Sequence, residues 1–369
     1  MAGIIRGKTI IGKPQIFKYY ICGNFTSYNS DTIGRFVARL NYDGSLDTSF
    51  NTNTIDGFNS TVIAMALDNN NKLIVGGEFT ALNSSSQPYI ARLNQDGSLD
   101  GTFSNSSFGG YVYAIAVDSK NRIYVGGNFT APSNYIARLL PDGTYDATFD
   151  TGGGFNGTVR SIVVQSDGTV LVGGDFTSYD SNGVYYFVKL DEDGRFNSGF
   201  PQYTTSGLDG AVNTIKSLPD GSIFVGGNFL NYDTVHYGGI IGFKSDGGIN
   251  STFDVIGGFN STVRSIDYNG RVLVGGDFII YQTSLGYTST NYLIKLNQDA
   301  TINMTYSEPN NIVYTVLYDL TKTLVGGDLN RAGRNYITRL NNDGSVDESF
   351  NNGGAGPSST VYSIIKVAI

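Results

Sequence analysis

The stretch Leu73–Phe79, LIVGGEF, decides the reading of the whole chain, because its Gly-Gly-acid-Phe core returns at nearly constant intervals. The second glycine falls at Gly23, Gly77, Gly127, Gly174, Gly227, Gly276 and Gly327, with 47 to 54 residues between successive copies. Cys22 replaces the first glycine in the first copy, and Leu329 replaces the phenylalanine in the last. An acid or amide always follows the pair: Asn24, Glu78, Asn128, Asp175, Asn228, Asp277 and Asp328. Seven units of about 50 residues therefore account for nearly all of the 369 residues.

Each unit holds four short apolar runs, clearest in the second: Thr61 to Leu67 (A), Leu73 to Phe79 (B), Tyr89 to Asn94 (C) and Ser98 to Phe103 (D). Tight Asn-rich or Asp-Gly turns such as Asp96-Gly97 and Asp167-Gly168 join A to B and C to D, and these residues supply the positive φ that hairpins need. No segment carries a sustained helical period with caps, so almost no helix is expected. The predicted fold is all-β: a seven-bladed β-propeller of four-stranded antiparallel blades spanning residues 17–369. The chain enters on a B-type run, Lys18 to Phe25, and ends on an orphan A-type run, Thr360 to Val367. The C-terminal strand is thus expected to complete the first blade and close the ring.

The pairing of VGGDFTSYD (Val172 to Asp180) with FVKLDEDGRFNSGF (Phe187 to Phe200), and of VGGEFT with YIARLNQDGSLDGTF in the second unit, resembles the delta-sixty repeat, a β-propeller repeat of bacterial proteins and bacteriophage structural proteins. The resemblance covers about residues 17 to 369. Gly242 stands where other units have Arg or Lys, and Ala300 replaces the turn glycine. Kelch propellers share the diglycine but carry a Trp in each blade, and this chain has no Trp. The resemblance implies the fold, but it brings no catalytic site.

Composition excludes several kinds of chemistry. One cysteine, Cys22, and one histidine, His236, can form neither an intrachain disulfide nor a His/Cys zinc cage. A net charge of −8 argues against a nucleic-acid partner. No apolar run reaches membrane-helix length, so no membrane insertion is expected, and Arg6, Lys8 and Lys13 interrupt any Sec-type signal. No cofactor or metal is expected. The turn Asn94 to Asp100, repeated at Asn41 to Asp47 and Asn341 to Asp347, is rich in oxygen ligands but lacks EF-hand spacing. Hairpin turn chemistry explains it, with calcium as the open alternative.

Two repeating features are predicted to be structural. The small residue two places after the leading Val of run A (Ala64, Ala114, Ser161, Thr214, Ser265, Thr315, Ser363) suits a crowded axis, and the diglycines suit close approach of neighbouring blades. The basic residue in run C (Arg39, Arg92, Arg138, Lys189, Lys295, Arg339) is expected to pair with the residue after the diglycine.

Function is sought where the repeat varies. The B-to-C connections differ in length and are rich in Tyr, Asn, Ser and Thr, as in Tyr28 to Thr32, Tyr179 to Tyr186 and Ile279 to Tyr292. The second position of run A also varies: Ile63, Tyr113, Arg160, Asn213, Arg264, Tyr314 and Tyr362. These residues are the candidate binding rim around the channel mouth, and no catalytic residue is assigned. Joined to the family resemblance, the absence of a catalytic motif leads to the expectation of a non-enzymatic structural and interaction module. Its expected setting is a tailed-bacteriophage virion (tail, baseplate or fibre-associated), where it binds another virion protein or a host surface protein or glycan. The alternatives are a bacterial surface or secreted adhesion protein and a carbohydrate-active enzyme. Residues 1–16, with Ile4, Ile5, Ile10 and Ile11 among basic residues, read as an N-terminal arm that anchors to a neighbouring protein or folds back on the propeller.

Overall fold

The computed structural model describes residues 17–32, 35–51, 57–105, 108–200, 207–255, 257–283, 286–331 and 334–368. The expected arm, residues 1–16, lies outside them. The fold is all-β and propeller-like, and among the described residues the helical content is the single turn Thr48–Asn51. In each unit runs A, B and C pair antiparallel in sequence order, as in the sheet of Val62–Leu67, Leu73–Gly77 and Ile90–Leu93. The first unit takes its A strand from the other end of the chain. Val361–Ala368 pairs with Phe17–Gly23, placing Tyr19 opposite Lys366 and Ile21 opposite Ile364.

The expectation of four-stranded blades needs correction. Run D extends into a full strand in one unit, where Ile302–Thr305 joins Val263–Tyr268, Val272–Gly276 and Leu293–Leu296. In the others it touches strand C through one bridged pair, such as Leu93 with Leu99 or Leu340 with Val346. The cause is the Asp or Asn side chain that follows. Asp100 Oδ1 accepts from the Thr102 amide (3.1 Å) and hydroxyl (2.7 Å), bending the backbone out of the ladder, and Asp47, Asp146 and Asp347 do the same. Asn197 and Asn250 accept from the Gly199 and Thr252 amides in the same way (both 3.2 Å), whereas in the exceptional unit Asn303 turns its Nδ2 to Asn297 Oδ1 (3.2 Å) and the strand runs on.

The same aspartates overturn the expected charge pairing. The strand C arginine does not reach across to the residue after the diglycine. Instead Arg39, Arg92, Arg138 and Arg339 each donate Nε to the aspartate eight residues later, at 2.5 to 2.8 Å. Three of these aspartates also receive the lysine just before or at the start of strand B, through Lys18–Asp47, Lys72–Asp100 and Lys322–Asp347. The guanidinium then crosses to the next unit: Arg39 Nη1 donates to the Gln95 carbonyl, Arg92 to Pro141, Arg138 to Glu192 and Arg339 to Tyr42. It also lies over the closing aromatic of run D, with Arg92 4.8 Å from the Phe103 centroid and Arg138 4.9 Å from Phe149. That aromatic packs under the turn of the following unit, where a Cβ on Gly247 would come within 2.6 Å of Phe200. Each latch thus joins turn, outer segment and neighbouring unit in one buried polar cluster.

Removing the carboxylate leaves a buried guanidinium unpaired, so Asp100→Asn is expected to cost about 3–5 kcal/mol, measured by denaturant unfolding. Acid should act in the same way. Asp47 is held at about 2 because the Lys18, Ser49 and Arg39 hydrogen bonds together outweigh burial, the largest single effect, which pushes upward; Asp100 and Asp347 are held low on the same pattern. Carboxylates that are more acidic folded than unfolded stabilise fully above their unfolded pKa near 4 and lose that contribution as pH falls through the folded value. The melting temperature should therefore stay level from pH 7 to about 5 and fall steeply from about 4 to 2.

Candidate functional site

Strand A is bulged at one place in every unit. In the second unit Val62 pairs with Gly77 and Ala64 with Gly76, leaving Ile63 as the extra residue. The equivalent shifts leave Tyr113, Arg160, Asn213, Arg264, Tyr314 and Tyr362 in the same position. A bulge re-aims the side chain it carries, and the diglycine is what makes this one possible. A Cβ on Gly77 would lie 2.2 Å from the Thr61 carbonyl oxygen, and one on Gly127 would lie 1.9 Å from that of Tyr111. The next amide locks the bend: Glu78 N–H donates to Thr61 O (2.9 Å) and Asp175 N–H to Thr158 O (2.8 Å). The first glycine does the work expected of both, since a Cβ on Gly76 would sit 2.3 Å from Val112 of the next unit.

The seven bulge residues meet at one cavity of about 210 Å³, lined by them alone. The structure therefore gathers every residue of the expected rim. Arg160 forms a two-pronged pair with Asp175, both contacts 2.7 Å, and Arg264 does the same with Asp277. These acids follow the diglycine, so that position serves the rim rather than strand C. Arg264 lies 4.6 Å over the Tyr314 ring, which meets Tyr362 edge to face at 5.0 Å. Asn213 Nδ2 donates to Val263 O at 3.2 Å. Burial works against the Arg264 charge, but the Asp277 carboxylate outweighs it and lifts the guanidinium above its usual value. Burial also raises the phenols of Tyr113, Tyr314 and Tyr362, with the carboxylates Glu78 and Asp328 acting in the same direction. At neutral pH the mouth offers neutral phenol donors, two charge-compensated guanidiniums and an amide, a set suited to contact rather than to proton transfer.

The tyrosine-rich connections divide differently from expectation. Tyr28, Tyr179, Tyr232 and Tyr281 are fully buried, and the hydroxyls of Tyr28, Tyr179 and Tyr281 donate to Gly44, Gly194 and Ala300 in the C-to-D turn of their own units. They are struts that fold each hairpin down over its unit. Tyr287, three-quarters exposed, is the aromatic the Ile279 to Tyr292 connection offers to solvent. His236 is exposed, with its ring nitrogens 3.3 Å from Asn231 Oδ1 and 3.1 Å from Gly257 O. Cys22 is buried where other units have the first glycine, and burial pushes its thiol well above the usual range. Among the described residues no group of His, Cys, Asp and Glu is arranged to hold a metal, and no helix is long and apolar enough to cross a membrane.

The sequence matches the family described as "Domain of unknown function (DUF5122) beta-propeller" over residues 18–50, 69–103, 121–149, 165–200, 218–253 and 322–350, more than half of the chain. No curated protein matches it. Among solved structures it is similar to the computationally designed Ika8 protein (14% identity, TM-score 0.52, 95% of this chain and 96% of that one). It is also similar to the extracellular domain of the putative one component system BT4673 from B. thetaiotaomicron (17%, 0.52, 89% and 38%). A third is the WD40 beta propeller domain of Doa1 (16%, 0.51, 79% and 82%). At these identities the likeness concerns the fold.

Because the Arg160–Asp175 pair is solvent-exposed on both sides, its contribution to stability should be small. In a double-mutant cycle with Arg160→Ala and Asp175→Ala, the coupling read from denaturant unfolding is expected below about 1 kcal/mol. This separates the rim from the buried latches, whose loss costs several times more.

Proposed function

We propose that this chain, which belongs to the DUF5122 beta-propeller family, is a seven-bladed ring closed by its C-terminal strand and acts as a non-enzymatic interaction module whose channel mouth binds another macromolecule. The reading rests on one observation: a backbone bulge repeated at seven positions aims four different residue types into a single mouth. A repeated scaffold with a non-repeated rim is what recognition requires, whereas a ring of identical groups would serve packing alone. Seven units, the pairing of Val361–Ala368 with Phe17–Gly23, and the Arg339 bond to Tyr42 support a closed ring. The resemblance to the delta-sixty repeat supports a virion setting, in the tail, baseplate or fibre-associated parts of a tailed bacteriophage. The partner is then another virion protein or a component of the host surface.

Deleting Thr360 to Ile369 removes the inner strand of the first blade and opens a sheet edge. The truncated protein is expected to aggregate or to melt at a much lower temperature, and a monomer with an unchanged melt would refute closure. Mass spectrometry of purified particles should find the chain at fixed stoichiometry. Changing Arg160 and Arg264 to Ala together should lower incorporation or host attachment without changing the melt by more than a few degrees. Absence from particles, or normal incorporation and attachment of the double variant, would refute the virion role or the rim as its contact.

A further inference from the structure

In the latches of six units every cation present meets a carboxylate, and in the remaining one neither cation does. The latch has three positions: a residue just before or at the start of strand B, one in strand C and one eight residues later. In the first, second and seventh units these are Lys18, Arg39 and Asp47; Lys72, Arg92 and Asp100; Lys322, Arg339 and Asp347. In the third unit Arg138 keeps Asp146, and Arg122 is taken by Asp118 (2.6 Å) and Glu192 (2.8 Å). The fourth unit has Thr169, Lys189 and Asn197, and Lys189 reaches Asp167 at 3.9 Å. The fifth has Ser222, Gly242 and Asn250, with no cation to compensate. The sixth keeps both cations, Arg271 and Lys295, but its third position is Asn303 and the place of Asp167 is held by Asn269.

The consequence is a buried cation beside an open space. Lys295 is only 5% exposed and contacts the rings of Tyr306 and Tyr318 at 5.8 and 5.7 Å, and among the described residues no carboxylate lies within ion-pair distance of it or of Arg271. The Tyr318 hydroxyl is buried and has no hydrogen-bond partner. The acid nearest to it, Asp267, is occupied by Lys216 (2.6 Å) and by the Tyr318 amide (2.7 Å). Arg271, Lys295, Tyr318 and Asn303 all line one cavity of about 350 Å³, within the size range of small-molecule sites. Burial, and then the charge of Arg271, push the Lys295 ammonium below its usual pKa, as expected of a cation whose counterion is missing.

We propose that this cavity binds a small polyhydroxylated carboxylate of the uronic-acid class, whose carboxylate takes the place that Asp47, Asp100 and Asp347 occupy in the sibling latches. Arg271 and Lys295 hold the carboxylate as Lys72 and Arg92 hold that of Asp100. The rest of the lining is mostly polar, with Asn269, Asn342, Thr321 and Lys322 beside Met304 and Leu320, and its amides and hydroxyls match the hydroxyls of a sugar acid better than an apolar chain.

The test titrates the full chain with D-glucuronate, D-glucose and inorganic phosphate by isothermal calorimetry, with thermal melts in parallel. Glucuronate should bind saturably and raise the melting temperature, and glucose should do neither. Asn303→Asp restores the missing carboxylate from within the chain. It is expected to weaken glucuronate binding at least about tenfold and to raise the melt of the free protein. Arg271→Ala, at an exposed position that leaves the fold intact, should weaken binding without raising the melt. Failure of glucuronate to bind saturably, equal binding of glucose, undiminished binding by Asn303→Asp, or binding of phosphate in place of glucuronate would each overturn the assignment.

Discussion

The close approach of backbone to backbone at the diglycine is the constraint on which the rest of the structure depends. Two chemically identical residues meet two different demands. The first leaves room for Val112 or Val159 of the following unit to seat against the sheet, and the second lets the start of strand A press its carbonyl into the same sheet. A methyl group at either place would have to displace packed atoms, which cores resist at a cost of about 1–3 kcal/mol or more. The spacing between units and the bulge within each unit thus come from one dipeptide. Where the first unit departs from it, Cys22 takes the space and Met65 stands where the later A strands carry Ile or Val, a paired change within one apolar cluster.

Outside that inner contact the units are tied by charge. The latch arginine satisfies its own aspartate, the carbonyl of the next turn and the face of an aromatic at once, so its desolvation is offset by several partners together. The variation among units follows that logic. Arginine occurs with aspartate four times, and lysine or glycine with asparagine three times; no unit keeps the arginine and loses the acid. A guanidinium with no carboxylate would be a heavy burden in a buried cluster, whereas a lysine can lean on aromatic rings, as Lys189 does on Phe200 and Lys295 on Tyr306.

The architecture was legible because repetition amplifies a weak signal: seven near-copies of a Gly-Gly-(acid or amide)-Phe core at one period, six of them followed by an Asp-Gly turn, leave few folds to choose from. The rim was legible for a related reason, since the bulge position varies between conserved-looking flanks. What the sequence concealed was partnership. Arg39 and Asn24 look like neighbours on adjacent strands, but the aspartate eight residues on wins because it bends the chain back over strand C and buries both groups. Tyr28 and Tyr179 look like exposed loop residues because linear order does not reveal that the hairpin folds down to place each hydroxyl on a turn carbonyl. The run D strands fail for the same local reason, an Asp or Asn side chain competing with the ladder for the backbone amides.

In a repeat protein the background against which a functional position stands out is supplied by the chain's own other units. Two kinds of departure occur here and they carry different meanings. At the rim, the backbone is constant and the side chain changes freely, which requires only that the position bear no structural duty; the exposed Arg160 pair fits that description. In the sixth latch the opposite holds: Lys295 is buried, both cations are kept, and the acid of the set is missing while a cavity remains beside it. The fifth unit, by contrast, lacks all three charges, with Ser222, Gly242 and Asn250. Retaining the buried Lys295 beside Arg271 without an acid costs stability unless a counterion arrives from outside, and that asymmetry distinguishes a site from a decayed repeat.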